Sequence, residues 1–107
     1  MAPTHAVVLR YFEGCPHWRD ALDVLTRALH DEGLDIQPRL ETVETDDDAE
    51  RLDFVGSPTI LIDDRDPFRS LDQAHGLSCR IFNTPDGLAP IPTYEQLREA
   101  LASRSER

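Results

Sequence analysis

The chain has 107 residues with 21 acidic and 11 basic side chains, a formal net charge of −10, and all of its basic residues other than histidine are arginine. This balance argues against a nucleic acid or an anionic membrane surface as a partner, because both are bound through a positive footprint. Two cysteines are too few for a secreted disulfide scaffold, and the N-terminus lacks the basic start and long apolar segment of a signal peptide. We therefore expect one domain, residues 1–107, in the cytoplasm.

The first two predicted elements are a strand and a helix. Residues 5–12 predict a strand whose apolar run, residues 6–9, is typical of a central parallel strand. The apolar residues that follow recur at helical spacing and predict a helix from about Pro16 to Glu32. Gly33 is placed to end this helix.

A second strand and a short helix come next. Residues 35–43 predict the strand, and Pro38 favours an edge position for it, because proline cannot donate a hydrogen bond to a ladder. Thr45, followed three residues later by Asp48, predicts the N-cap of the helix. The acidic run at this point therefore indicates helix capping rather than a calcium site, whose spaced oxygen ligands and turn glycine are missing.

The last third of the chain predicts two strands and a helix. Residues 59–62 are fully apolar, as in a central strand, and residues 79–82 predict a short fourth strand followed by a loop at 83–87. Thr93 and Gln96 match a capping box and predict the start of the last helix.

Cys15 lies where the first predicted strand meets the first helix. At such a junction the free N–H groups and the positive end of the helix dipole favour the thiolate, which is the nucleophilic and metal-binding form of cysteine. Pro16 suits the first helical position, and a protonated His17 would also favour the thiolate. Cysteine is often an inert buried residue, but Gly14 and Pro16 on either side favour a reactive thiol in a partly exposed groove.

The element order, with Gly14-Cys15-Pro16 at the first junction and Gly56-Ser57-Pro58-Thr59 before the third strand, resembles the thioredoxin superfamily over nearly the whole chain. The resemblance implies an α/β fold with a single four-stranded mixed sheet in the order 2-1-3-4, flanked by three helices. It also implies that Cys15 is the nucleophile and that Pro58 is a cis-proline packed beside it. The backbone of Ser57 would then align an incoming peptide or thiol.

Trp18 stands where the family's Cys-x-x-Cys motif has its second cysteine. A local disulfide is therefore excluded, and what remains is monothiol exchange, in which Cys15 forms a mixed disulfide that another thiol resolves and His17 tunes the thiol. The expected partner is a thiol or disulfide of a protein or of a small molecule, with no cofactor and no metal. We expect Trp18 to be a core or lid residue rather than a substrate platform. The candidate substrate-binding residues are Pro16, Trp18, Ser57 and Pro58.

Cys79 is a possible resolving thiol. In the implied fold the fourth strand begins at the end of the sheet away from the active site. This position predicts that Cys79 is buried, inert and too far from Cys15 for a disulfide, which needs Cα atoms within about 7 Å. The irregular segment 64–78 could instead fold back and bring the two cysteines together.

Other functions stay open beside thiol–disulfide exchange. His17 and His75 could join the two cysteines in a soft-metal or organomercurial site, although Cys-x-His alone is a weak signal. The chain could also be a non-catalytic interaction domain, since the second cysteine of the family motif is missing. We rank exchange first, the soft-metal or organomercurial site second and the interaction domain third, with exchange only modestly ahead of the interaction domain.

Overall fold

The structure is a computed structural model that describes residues 6–69 and 75–105. Residue 5 of the first predicted strand and residues 70–74 of the irregular segment lie outside these ranges. The strands are β1 (Val7–Tyr11), β2 (Arg39–Thr42), β3 (Thr59–Ile62), β4 (Phe82–Thr84) and β5 (Gly87–Ala89). The helices are α1 (Trp18–Asp31), α2 (Asp46–Arg51) and α3 (Tyr94–Ser105). Among the described residues, no helix is long and apolar enough to cross a membrane.

The predicted single four-stranded sheet is wrong, because the described strands form one sheet of three strands and another of two. In the first sheet β1 lies between β2 and β3, parallel to β2 and antiparallel to β3. The order of the first three strands and the edge position of β2 therefore agree with the prediction. The fourth strand does not join this sheet.

The second sheet is a hairpin of β4 and β5, and β5 lies partly in the segment predicted to be a loop. The Thr84 hydroxyl closes the turn by donating to the Gly87 carbonyl oxygen (2.6 Å) and accepting from the Asp86 N–H (3.2 Å). Gly87 has φ +110°, a conformation that favours glycine. This local turn pairs the end of the predicted fourth strand with the residues that follow it rather than with β3.

The boundaries of α1 differ from the prediction at one end only. The helix begins at Trp18 with His17 as its N-cap, so Pro16 lies in the preceding turn and not at the first helical position. At the other end Gly33 has φ +73° and follows the C-cap, as predicted. There the Leu34 N–H donates to the Leu29 carbonyl oxygen (2.9 Å) and satisfies one of the last helical acceptors.

The two predicted N-caps are confirmed. The Thr45 hydroxyl accepts a hydrogen bond from the Asp48 N–H at 3.0 Å. At the start of α3, Thr93 Oγ1 accepts from the Gln96 N–H (3.0 Å), while Gln96 Oε1 accepts from the Thr93 N–H (2.9 Å). This reciprocal pair is the capping box that the sequence indicates.

The main core joins the three-stranded sheet to α1 and α3. Alternate residues of β1 contribute to it together with residues of β3, and α3 adds Leu97 and Leu101. A smaller cluster of Val43, Ala49 and Phe54 lies around α2. Buried side chains thus fix β1 and β3 against the helices, and the connection from β1 to α1 contributes Cys15 to the same core.

Candidate functional site

Cys15 lies in the connection between β1 and α1, and its side chain belongs to the main core. Its N–H donates to the Phe12 carbonyl oxygen at 3.0 Å, and its thiol donates to the Ser57 carbonyl oxygen at 3.5 Å. Only 2% of the residue is exposed. The prediction of a partly exposed groove for Cys15 is therefore wrong, because this sulfur is covered by protein.

Gly14 allows the chain to turn tightly before Cys15. A Cβ on Gly14 would lie 2.8 Å from Cε2 of Phe12, which packs against both core clusters. The absence of a side chain at this position thus leaves room for the Phe12 ring. The Gly-Cys-Pro pattern predicts a turn correctly, but the turn brings the cysteine inward.

The Ser57–Pro58 peptide bond is cis, as the resemblance implies. Both residues are buried, and Ser57 contacts Cys15 through its carbonyl oxygen. The same oxygen accepts from the Arg80 N–H (2.8 Å), and the Ser57 N–H donates to the Ser78 carbonyl oxygen (2.8 Å). The chain's own residues 78–80 use both backbone hydrogen-bonding groups of Ser57 in this structure, so alignment of a substrate by Ser57 stays a prediction that requires these bonds to be displaced.

Cys79 lies beside Cys15, which corrects the prediction that it is distant and buried. It forms an isolated parallel β-bridge with Ser57, the residue that the Cys15 thiol contacts. Burial raises the pKa of the Cys79 thiol, and the charge of Cys15 and a hydrogen bond with its side chain raise that pKa further. Both cysteines are free thiols, and Cys79 is exposed whereas Cys15 is buried. The chain after β3 therefore returns to the Ser57 segment instead of starting a strand at the far end of the sheet.

Arg80 anchors the segment that carries Cys79. Its guanidinium nitrogens lie 2.7 and 3.3 Å from the two carboxylate oxygens of Asp66, and its side chain is 1% exposed. The guanidinium also lies 4.7 Å from the centroid of the Phe82 ring. A bidentate, charge-assisted pair of this kind fixes both distance and orientation, so it holds the backbone of residue 79 in place.

Gly56 permits the close approach of this segment to the cis-proline turn. Its φ is +127°, and a Cβ there would lie 3.0 Å from the Cβ and 3.1 Å from the Cα of Arg80.

Sequence reasoning missed the roles of Arg80 and Asp66. From residue 79 to residue 84, Cys79 and Ile81 share one parity and Arg80 shares the other with Phe82, so the sequence pattern does not indicate which face is buried.

The remaining predicted residues lie around the start of α1. Trp18 is buried and stacks on Tyr11 with ring centroids 4.0 Å apart, so it is a core residue and not a surface platform. Pro16 is exposed in the turn, and His17 is half-buried at the N-cap without a side-chain capping hydrogen bond. Neither Pro16 nor His17 is among the hydrogen-bond partners found for the Cys15 thiol in the described residues.

The described residues contain no cluster of three or more His, Cys, Asp or Glu side chains arranged to hold a metal ion. His75 instead contacts Asp53, with Nε2 2.6 Å from Oδ1. The site in which His17 and His75 join both cysteines is therefore not formed. Of the four side chains predicted for that site, the structure brings together only the two cysteines, both of which lie at Ser57.

Comparison of the chain with protein-family models, with curated proteins and with solved structures finds no match. The resemblance to the thioredoxin superfamily thus stands on the motifs around Cys15 and Pro58 alone. For the function of the site, the geometry of the two thiols is the informative observation.

Proposed function

We propose that the protein carries out thiol–disulfide exchange through Cys15 and Cys79, which interconvert between a dithiol and an intramolecular disulfide. The observation that supports this proposal is that both cysteines meet Ser57 beside the cis Ser57–Pro58 bond, because the Cys15 thiol donates to the Ser57 carbonyl oxygen and Cys79 forms a β-bridge with the same residue. It extends the monothiol chemistry expected from the sequence, because the resolving thiol is supplied by the same chain. The likeness of the Cys15 and Pro58 motifs to the thioredoxin superfamily supports the same chemistry.

The exchange balances without a cofactor. One protein thiolate attacks a disulfide RSSR, forms a mixed disulfide and expels RS⁻. The second thiolate attacks the protein sulfur of that mixed disulfide, which closes the Cys15–Cys79 bond and expels the other RS⁻. The protein loses two electrons, RSSR gains them, and the two thiol protons pass to the solvent. The reverse sequence oxidises two RSH molecules to RSSR.

The partner in this proposal is a disulfide or thiol of a protein or of a low-molecular-weight compound. The cytoplasm is the proposed compartment, where the pair would be kept reduced between turnovers. The acidic surface, with a net charge of −10, would disfavour acidic partner proteins through like-charge repulsion.

Equilibration in glutathione redox buffers tests the proposal. After acid quenching and alkylation, mass spectrometry should show that wild-type protein loses both free thiols together, without a glutathione adduct at equilibrium. Cys15→Ser and Cys79→Ser serve as matched controls, and each should accumulate a mixed disulfide because the resolving thiol is missing. Wild-type protein that keeps both thiols free, or that carries glutathione on each cysteine, would contradict the proposal.

A second candidate function is the binding of a soft metal ion or an organomercurial between the two thiolates. The same thiol pair favours it, because soft cations prefer thiolate ligands. Titration with Cu(I) or Hg(II) should then give one ion per chain, and either single serine variant should abolish this stoichiometry. If neither redox cycling nor metal binding is found, the interaction-domain hypothesis takes first place.

A further inference from the structure

We infer that Cys79, and not Cys15, carries the mixed disulfide with the substrate, and that Cys15 is the resolving thiol. This inference rests on the proposed dithiol exchange and reverses the order of attack expected from the sequence. It follows from the accessibility of the two cysteines, from the backbone hydrogen bonds of Ser57 to residues 78 and 80, and from the way the Cys79 segment is anchored.

Accessibility separates the two thiols. Cys15 is 2% exposed, within the main core, whereas its neighbour Cys79 is exposed. A disulfide approaching from solvent therefore meets Cys79 first. Direct attack by Cys15 would need a local opening of the structure, which costs free energy before any chemistry takes place.

A local opening that exposes Cys15 would break the backbone hydrogen bonds of Ser57. Its N–H is bonded to the carbonyl oxygen of Ser78, and its carbonyl oxygen to the N–H of Arg80. These bonds hold residue 79 against Ser57, the residue that the Cys15 thiol contacts. A substrate that reacts at Cys79 leaves both bonds intact.

The orientation of Cys79 is set by its neighbours. From residue 79 to residue 84, exposed and buried residues alternate without interruption. Arg80 faces inward, held by Asp66, while Ile81 on the other side is 64% exposed. Because alternate residues of an extended chain lie on one face, the Cys79 side chain is held on the face of this segment opposite to Arg80, which it shares with Ile81.

The second step uses the contact already present. Once Cys79 carries the group RS, the Cys15 thiolate attacks the Cys79 sulfur, the bond from that sulfur to RS breaks, and RS⁻ leaves with the electron pair. In the reverse direction RS⁻ attacks the sulfur of Cys79 in the protein disulfide, the bond between the two protein sulfurs breaks, and the electron pair departs on Cys15.

The test maps the first adduct on the wild-type protein. Reduced protein is mixed with a nitrobenzoate aryl disulfide that releases a coloured thiolate, quenched in acid at early times and analysed by peptide mass spectrometry. We expect the adduct on Cys79, followed by release of a second equivalent at a rate independent of probe concentration, as the Cys15–Cys79 bond closes.

The single variants give an independent readout. Cys15→Ser should release one equivalent at least as fast as the first wild-type phase. Cys79→Ser should react at least about tenfold more slowly, because its remaining thiol needs local opening, and this difference should disappear in denaturant. An early adduct on Cys15 in wild-type protein overturns the assignment while leaving the dithiol exchange intact. An adduct that stays on Cys79 and never closes overturns both the resolving role of Cys15 and the proposed function.

Discussion

Ser57 and Cys79 are paired across a single parallel β-bridge, so the cis-proline turn is already occupied by the chain itself. The carbonyl oxygen of Ser57 also accepts the hydrogen bond from the Cys15 thiol. Ser57 therefore contacts both the buried Cys15 and the exposed Cys79. This relationship explains why the two thiols meet although 63 residues of the sequence separate them.

The pH dependence of Cys79 labelling should report its contact with Cys15. Folding raises the pKa of the Cys79 thiol through burial first and through Cys15 second. Labelling by iodoacetamide, followed at Cys79 by mass spectrometry, should therefore rise at a higher pH in the folded protein than in an unfolded peptide spanning this cysteine. In Cys15→Ser the rise should move to lower pH but stay above that of the peptide, since burial remains.

The raised pKa of Cys79 also predicts how the free energy of unfolding changes with pH. A thiol whose pKa is raised by folding contributes stability that is complete below the unfolded pKa and is lost as pH rises through the folded pKa. Cys79→Ser should therefore reduce the loss of unfolding free energy as the pH rises above neutrality.

In the labelling experiment, identical pH profiles for wild type and Cys15→Ser would show that the two thiols do not interact in solution.

Asp66→Asn should be strongly destabilising. Asp66 neutralises the guanidinium of Arg80, whose side chain is 1% exposed, and loss of one partner leaves a buried charge uncompensated. We expect a loss of about 3–5 kcal/mol in the free energy of unfolding, measured by denaturant titration. Asp35→Asn, at an exposed carboxylate, is the matched control and should change the stability little. Equal stability of the two variants would contradict the anchoring role of this pair.

Gly56→Ala should be more harmful than the same change at a glycine with open space. At Gly56 a Cβ meets the backbone of Arg80 at 3.1 Å, and the residue has φ +127°. Gly87 has φ +110° with no atom within 4 Å of the added Cβ, so Gly87→Ala measures the conformational cost alone. We expect the first variant to lose stability by about 1–3 kcal/mol more than the second, because crowding adds to strain. Chemical denaturation curves give both values.

Displacement of the Arg80 segment by Gly56→Ala should also expose Cys15. Its alkylation at neutral pH should become faster in Gly56→Ala than in Gly87→Ala. If both variants label Cys15 at the wild-type rate, the segment around residue 80 is not what protects this thiol.

Thr93→Ala should weaken the start of α3. The variant loses the hydrogen bond that Thr93 Oγ1 accepts from the Gln96 N–H, and we expect a cost of about 1 kcal/mol in unfolding free energy. Thr26 offers a control, because its hydroxyl donates to the Leu22 carbonyl oxygen within α1 and caps no helix end. Thr26→Ala should be neutral or slightly stabilising. A larger loss at Thr26 than at Thr93 would contradict the capping argument.

The sequence by itself determined the features whose causes lie within a few residues. The N-caps at Thr45 and Thr93 and the glycine stop at Gly33 depend on hydrogen bonds and backbone angles inside one turn. β3 is bounded as predicted, since a short apolar run between turn residues is itself a local signal. The cis bond at Pro58 came from the resemblance and is present in the structure, where the Cys15 thiol contacts the carbonyl oxygen of the preceding residue, Ser57.

Only the tertiary structure decided where the chain goes after β3. Residues 79–84 could pair with an edge of the main sheet, but in the structure residue 79 pairs with Ser57 and residues 82–84 pair with β5 across the turn at Thr84. The pairing with Ser57 is favoured by the bidentate contact of Arg80 with Asp66 and by the absence of a side chain on Gly56. Contacts of this kind join residues that are distant in the sequence and leave no period or spacing in it. The burial of Cys15 and the exposure of Cys79, which set the order of the proposed chemistry, likewise depend on packing between residues that are distant in the sequence.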